Sequence, residues 1–271
     1  MGSGRWDWVV PDGLWEIAEP WLPAARVRPQ DGGVANIDDE AVFAAIVYLL
    51  VSWCAWRALP PCFGASKSTV HRRFVIWSRD GLWGRLHHKV LQLLDARGLV
   101  GLSRAVLDSA CVHAKKGGEL AGPSPVGRGK PVSKMHVLSD AAGLPLRVGI
   151  SVAGTHDSLA LKPTLSHFHM RHEPHADQSK PRRLLADKAY DIPHLRRWLR
   201  GQRIGVRIAR KGIDSSERLG RRRWVIERTM SWLTGYRLLN PRYERHARNY
   251  LAFLGLAAAF CCYKRLLNLT M

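Results

Sequence analysis

Two short apolar runs, each ending in an aspartate, constrain this chain most. Ala105-Val106-Leu107 runs into Asp108, with Ala110-Cys111-Val112 beyond it, and Leu184-Leu185-Ala186 runs into Asp187. Runs this short and this apolar suit strands buried in a sheet. A carboxylate carried into such a setting must be paired, hydrogen-bonded or bound to a cation. A third acid, Glu227, lies in the arginine-rich helical stretch RRRWVIERTMSWL. Three carboxylates brought together repel one another, and Mg²⁺ or Mn²⁺, which take oxygen ligands, relieve that repulsion. The pattern points to metal-dependent phosphoryl transfer. Taken singly, each acid is explained equally well as a strand-end or helix-surface group paired with a nearby arginine.

The charge balance narrows the partner. Across 271 residues the formal net charge is +20, an excess that favours a polyanion. It is concentrated between Lys180 and Arg248, where 20 Lys/Arg face 6 Asp/Glu, and two of those six are Asp187 and Glu227. The proposed acids therefore sit inside the most basic third. An apolar content of 46% is enough for a full core. The five cysteines have no zinc-ligand spacing and read as free thiols in a reducing cytoplasm. MGSGRWDWVV is no signal peptide, and the apolar runs Ala41 to Val51 and Leu251 to Tyr263 are short for a bilayer and read as buried helices. The expectation is a cytoplasmic, nucleoid-associated protein with no membrane partner.

Residues 1–98 read as a small all-α domain. Asp38 and Asp39 cap a helix from Glu40 to about Trp56, and Pro60-Pro61 breaks it. Ser66-Lys67-Ser68-Thr69 opens a second helix that Gly81 ends, and a third runs to about Ala96. Lys67, His71, Arg72 and Arg73 at the start of the second suit a helix-turn-helix DNA reader, or equally a plain three-helix packing unit. Residues 99–271 change character. Strands are expected at 105–112, 134–138, 146–152, 183–186 and 204–209, with helices after Asp157, from Pro193 to Gly201, from about Glu217 to Gly235, and from Ala247 to Leu267. This order predicts an α/β fold, a mixed five-stranded sheet with helices on both faces.

Five segments resemble DDE transposases of bacterial insertion sequences, in the insertion-sequence-five family. They are GRGKPVSKMHVLSDAAGLPL (127–146), GTHDS (154–158), LLADKAYD (184–191), RRWVIERTMSWL (222–233) and YERHARNYLAFLGLAAAF (243–260). LPPCFGASKSTVHRRFVIW also resembles the helix-turn-helix region of that family. The resemblance implies an RNase H-like sheet, with Asp108, Asp187 and Glu227 as catalytic triad and metal ligands for Mg²⁺ or Mn²⁺, two ions in all. It also implies a related arginine at Arg223, four residues before Glu227. Where broader relatives carry a tyrosine and a lysine around the glutamate, this chain has Gly220 and Thr234.

The implied activity is binding of terminal inverted repeats, cleavage at the element ends and joining of the 3′-hydroxyls to target DNA. Double-stranded DNA is the partner, and a dimer or higher assembly on DNA is expected. Arg223, Arg228, Arg237, Lys67, Arg72, Arg73, Lys134 and Lys188 are the candidate DNA contacts. Two other readings share these residues: an inactive DNA-binding descendant of a transposase, and an RNase H-like nuclease that cuts without joining. His156 and Asp157 either lie near the site or order a loop. His167, His169, His172 and His175 read as solvated rather than as a metal cluster.

Overall fold

In the computed structural model, β1 (Ala105–Ala114) is the strand around which the chain is organised. The structure describes residues 5–24, 37–124, 129–166, 180–213 and 216–268, with side chains for all of these except 216–223. On one edge β1 pairs antiparallel with β3 (Pro131–Ser139), which pairs antiparallel with β4 (Pro145–Val152). On the other edge it pairs parallel with β5 (Arg183–Ala186), which pairs parallel with β6 (Gly205–Ile208). The order β4-β3-β1-β5-β6 is the expected RNase H-like sheet. Two short strands extend it to seven: β2 (Gly122–Pro123) on β3 and β7 (Pro241–Arg242) on β1. Neither is long enough to carry a period, and each contains a proline, so neither shows in the sequence pattern.

The sheet's two faces are separated by the alternation of its strands. Ser109, Lys134, His136 and Ser151 share one face through the pairs Ser109↔His136, Cys111↔Lys134 and Lys134↔Ser151. That face is covered by α5 (Ser158–Ser166) and α6 (Pro193–Gly201). Asp108, Val137 and Val148 lie on the other face, which α7 (Ser216–Gly235) and α8 (Ala247–Leu267) cover.

The N-terminal helices are α1 (Leu14–Ala18), α2 (Asp39–Ser52), α3 (Lys67–Asp80) and α4 (Leu82–Ala96). Asp38 caps α2 by accepting from Glu40 N at 3.1 Å, and Ser66 caps α3 by accepting from Thr69 N at 3.2 Å. α2 stops four residues before the expected Trp56. Trp53 adopts a left-handed φ of 59°, and the Ser52 hydroxyl turns back to the Tyr48 carbonyl at 2.6 Å. The connection from α2 to α3 spans residues 53–66 and contains two 3-10 turns. The tight turn of a helix-turn-helix pair, about 3–4 residues, is absent there. Gly81 alone joins α3 to α4, at a φ of 80° that suits glycine.

The expected domain, 1–98, does not have a core to itself. One continuous buried cluster runs from Leu14, Phe43 and Phe74 through Trp83 and Phe253 to Leu107 and Val137. α8 is its centre: it packs on α4, α3, β4 and α7, and is long and apolar enough to cross a membrane yet is mostly buried in this core. Phe74 of α3 stacks on Phe253 of α8 with ring centroids 4.4 Å apart.

Candidate active site

The site forms where β1 loses a neighbour. Val106 pairs with Leu185, but β5 ends at Ala186, and β1 next finds a strand on that edge at His113, opposite Pro241 of β7. Asp108 and Asp187 each stand two residues beyond the Val106–Leu185 pair. A strand's side chains alternate with period two, so both carboxylates project on the same face as that pair, beside one another at the carboxyl end of parallel strands. This crevice is where ligands of open α/β sheets commonly bind.

Backbone donors orient both groups. Asp108 Oδ1 accepts from Ser109 N at 2.8 Å. Asp187 Oδ1 accepts from Ala189 N at 2.8 Å, capping a 3-10 turn over Lys188–Tyr190. The turn is fixed in place by Asp191, which takes Arg196 Nε at 2.6 Å and Lys211 N at 2.8 Å. The turn also buries Tyr190, 1% exposed, with its hydroxyl close to Ser109. Burial, then the charges of Asp157, Asp108 and Asp187, push that phenol well above its ordinary pKa. It stays a neutral hydroxyl.

Behind Asp108, on the opposite face, lies a polar cluster. The Ser109 hydroxyl donates to Asp157 Oδ1 at 2.7 Å, and Lys134 Nζ reaches the same oxygen at 2.9 Å. Lys134 also donates to the Thr155 carbonyl at 2.8 Å. Burial by itself would raise the Asp157 carboxyl, but the Lys134 and Ser109 hydrogen bonds outweigh it and hold the pKa below the carboxylate norm. His136 Nε2 meets Ser151 Oγ at 2.7 Å, and burial lowers its pKa to about 4.

Glu227 lies exposed on α7, which packs over β1 and β3. Among the described residues no three His, Cys, Asp or Glu groups stand close enough to hold a metal ion. The structure thus brings Asp108 and Asp187 together and leaves Glu227 outside their immediate shell. Thr229 of the same helix is buried, donating to the Gly143 carbonyl at 2.7 Å in the β3–β4 turn.

The expected DNA contacts divide into two groups. Lys67 and Arg72 are exposed on α3, Arg237 is exposed with its guanidinium over Trp53, and Lys188 is half-buried beside Asp187. Three others are engaged within the chain. Arg73 bonds Asp39 at 2.6 Å, and Lys134 is held by Asp157 and Thr155. Arg228 lies between the Trp224 and Trp232 rings, at 4.6 and 4.8 Å, and donates to the Ala142 carbonyl. In each, these contacts take up part of the hydrogen-bonding capacity of the cation. The side chain of Arg223 and the whole of His167, His169, His172 and His175 lie outside the described residues. Ser109 and Tyr190 are the site residues that the sequence pattern did not single out. The signal for Ser109 is a hydroxyl beside Asp108 in a mostly apolar strand.

Comparison with known proteins bears on the same two segments. The family described as putative transposase of IS4/5 family matches residues 10–87, and the transposase DDE domain matches residues 101–262. A putative transposase for insertion sequence element IS402 from Burkholderia cepacia is 34% identical over 174 residues, 63% of this chain and 79% of that protein. An uncharacterized 16.2 kDa protein of the same element and organism is 32% identical over 119 residues, 43% of this chain and 81% of that protein. Among solved structures, the piggyBac transposase in a synaptic complex with hairpin DNA shares the fold. Its TM-score is 0.52 at 10% identity, over 96% of this chain and 74% of that one.

Proposed function

The chain belongs to the IS4/5 family of DDE transposases, and we propose that it binds the terminal inverted repeats of its insertion sequence, cuts DNA at the element ends and joins the freed 3′-hydroxyls to target DNA. The observation that carries this reading is the placement of Asp108 and Asp187, two residues past a parallel strand pair and on one face of the sheet. Two neighbouring carboxylates, each oriented by a backbone N–H, are the hard oxygen donors that Mg²⁺ or Mn²⁺ selects. Asp108 and Asp187 would hold the metal, and Glu227 on α7, outside their immediate shell here, is the third carboxylate that the family resemblance assigns to the site. A divalent metal bound there supplies activation of the attacking oxygen and neutralises charge at the leaving oxygen.

The chain's own residues do the rest. The basic stretch 180–248 draws the DNA backbone to the crevice, with Lys188 beside Asp187 and Arg237 beyond α7. Exposed Lys67 and Arg72 on α3 hold DNA phosphates away from the reacting one. The extended backbone at Asp187, with φ of −77° and ψ of −177°, continues the direction of β5 past Ala186. Joining two element ends calls for a dimer or higher assembly on DNA.

The test is cleavage of DNA carrying the element's own ends with Mg²⁺ or Mn²⁺. Asp108→Asn, Asp187→Asn and Glu227→Gln should each abolish cleavage and spare end binding. A variant that still cuts removes its residue from the site. Cleavage without strand-transfer products would leave a nuclease in place of a transposase.

A further inference from the structure

Ser109 connects the two faces of β1. Its amide donates to Asp108 Oδ1 on the crevice face at 2.8 Å, and its hydroxyl donates to Asp157 Oδ1 on the other face at 2.7 Å. Asp157 is anchored in turn. Lys134 Nζ binds the same oxygen at 2.9 Å and the Thr155 carbonyl at 2.8 Å, so β3 and the turn before α5 close around it. Side chains of Asp157 and Lys134 are only 24% and 13% exposed. A partly buried ion pair of this kind contributes little stability compared with apolar side chains of similar volume, and its best-attested use is to fix geometry. The cluster also borders the turn that follows Asp187, because the hydroxyl of Tyr190 feels the charges of Asp157, Asp108 and Asp187 together.

We propose that Asp157 is a positioning residue for the metal-binding pair: held by Lys134 and acting through the Ser109 hydroxyl, it fixes the strand position from which Asp108 presents its carboxylate to a divalent cation. The inference rests on the assignment of Asp108 and Asp187 as metal ligands. It gives GTHDS a role other than capping α5, and it makes Lys134 part of the site's support and not a DNA contact. Groups behind metal ligands act in this way generally, and their loss weakens metal affinity by roughly 10–100-fold.

The experiment is Mn²⁺ binding by the full chain without DNA, read from the electron paramagnetic resonance of the free ion. The Mn²⁺ concentration for half-maximal cleavage is the second readout. Asp157→Asn and Ser109→Ala should each weaken Mn²⁺ binding about tenfold or more, while Ser109→Thr, which keeps the hydroxyl, should bind as the wild type does. The double variant S109A/D157N should be no weaker than D157N alone, because both act through one link. Should D157N lose its fold, Ser109→Ala decides, since it removes a single hydroxyl. Wild-type affinity and half-saturation in S109A and D157N, with binding lost in Asp108→Asn, would overturn the positioning role and leave the site intact. Unchanged Mn²⁺ binding and cleavage in Asp108→Asn would overturn the site itself.

Discussion

Thr229 of α7 donates its hydroxyl to the carbonyl of Gly143, at 2.7 Å, and so fastens the helix that carries Glu227 to the turn between β3 and β4. The same oxygen also lies 3.0 Å from the Val225 carbonyl. Gly143 itself has a φ of 90°, and a Cβ there would press on Thr229 and Arg228 at 3.2 and 3.1 Å. Thr229→Val keeps the shape and leaves the Gly143 carbonyl without its donor. The expected cost is about 1–3 kcal/mol, measured by chemical denaturation. Cleavage should fall further than this loss of stability explains, because Glu227 shifts with the helix.

Two neighbouring arginines on α3 should separate DNA binding from folding. Arg72 is exposed, whereas Arg73 is committed to Asp39 at the start of α2. Arg72→Ala should weaken DNA binding and reduce the slope of log K against log salt by about 0.9, the loss of one phosphate contact. Arg73→Ala should leave that slope unchanged and lower the melting temperature. Equal slopes for the two variants would count against α3 as a DNA surface.

Much of this architecture is legible from residue order. The runs ending in Asp108 and Asp187 announce buried strands because they are short, apolar and bounded by polar residues, whereas the face each aspartate takes follows from the strand pairing. The long-range partners are not legible. Nothing near Lys134 in sequence says that Asp157 will take its charge, and nothing near Arg73 points to Asp39. Both pairs depend on how separate elements dock. The shared core was hidden for a related reason: α8 is apolar on all sides, so its composition says that it is buried but not between which elements.

The pH dependence of stability follows from two buried imidazoles. His87 Nε2 donates to the Pro145 carbonyl at 2.7 Å, and burial lowers its pKa to about 4; burial does the same to His136. Both are neutral in the folded chain above that pH, while in the unfolded chain they take a proton near 6.5. The unfolded chain therefore binds more protons between about 4 and 6.5. Their stabilising contribution is complete above pH 6.5 and is lost as the pH falls towards 4, by about 1.4 kcal/mol per pH unit for each histidine. Thermal unfolding followed from pH 7.5 to 4.5 should show the decline, and His136→Phe should make it shallower.

The stack of Phe74 on Phe253 tests whether the helical and sheet regions stand or fall together. Phe253 is 1% exposed, and Phe253→Ala should cost about 3–5 kcal/mol. Calorimetry should record one transition, shifted as a whole. Two transitions, with only one displaced, would mean that residues 1–98 hold themselves up.

α8 occupies the last stretch of the chain, yet α3 and α4, near its beginning, close against it. On the ribosome α3 and α4 are finished some hundred and fifty residues before α8, their packing partner, is made. A product cut short of Ala247 leaves Phe74 and Trp83 without the surface that covers them. Until α8 is in place, the apolar faces that α3 and α4 turn towards it stay uncovered.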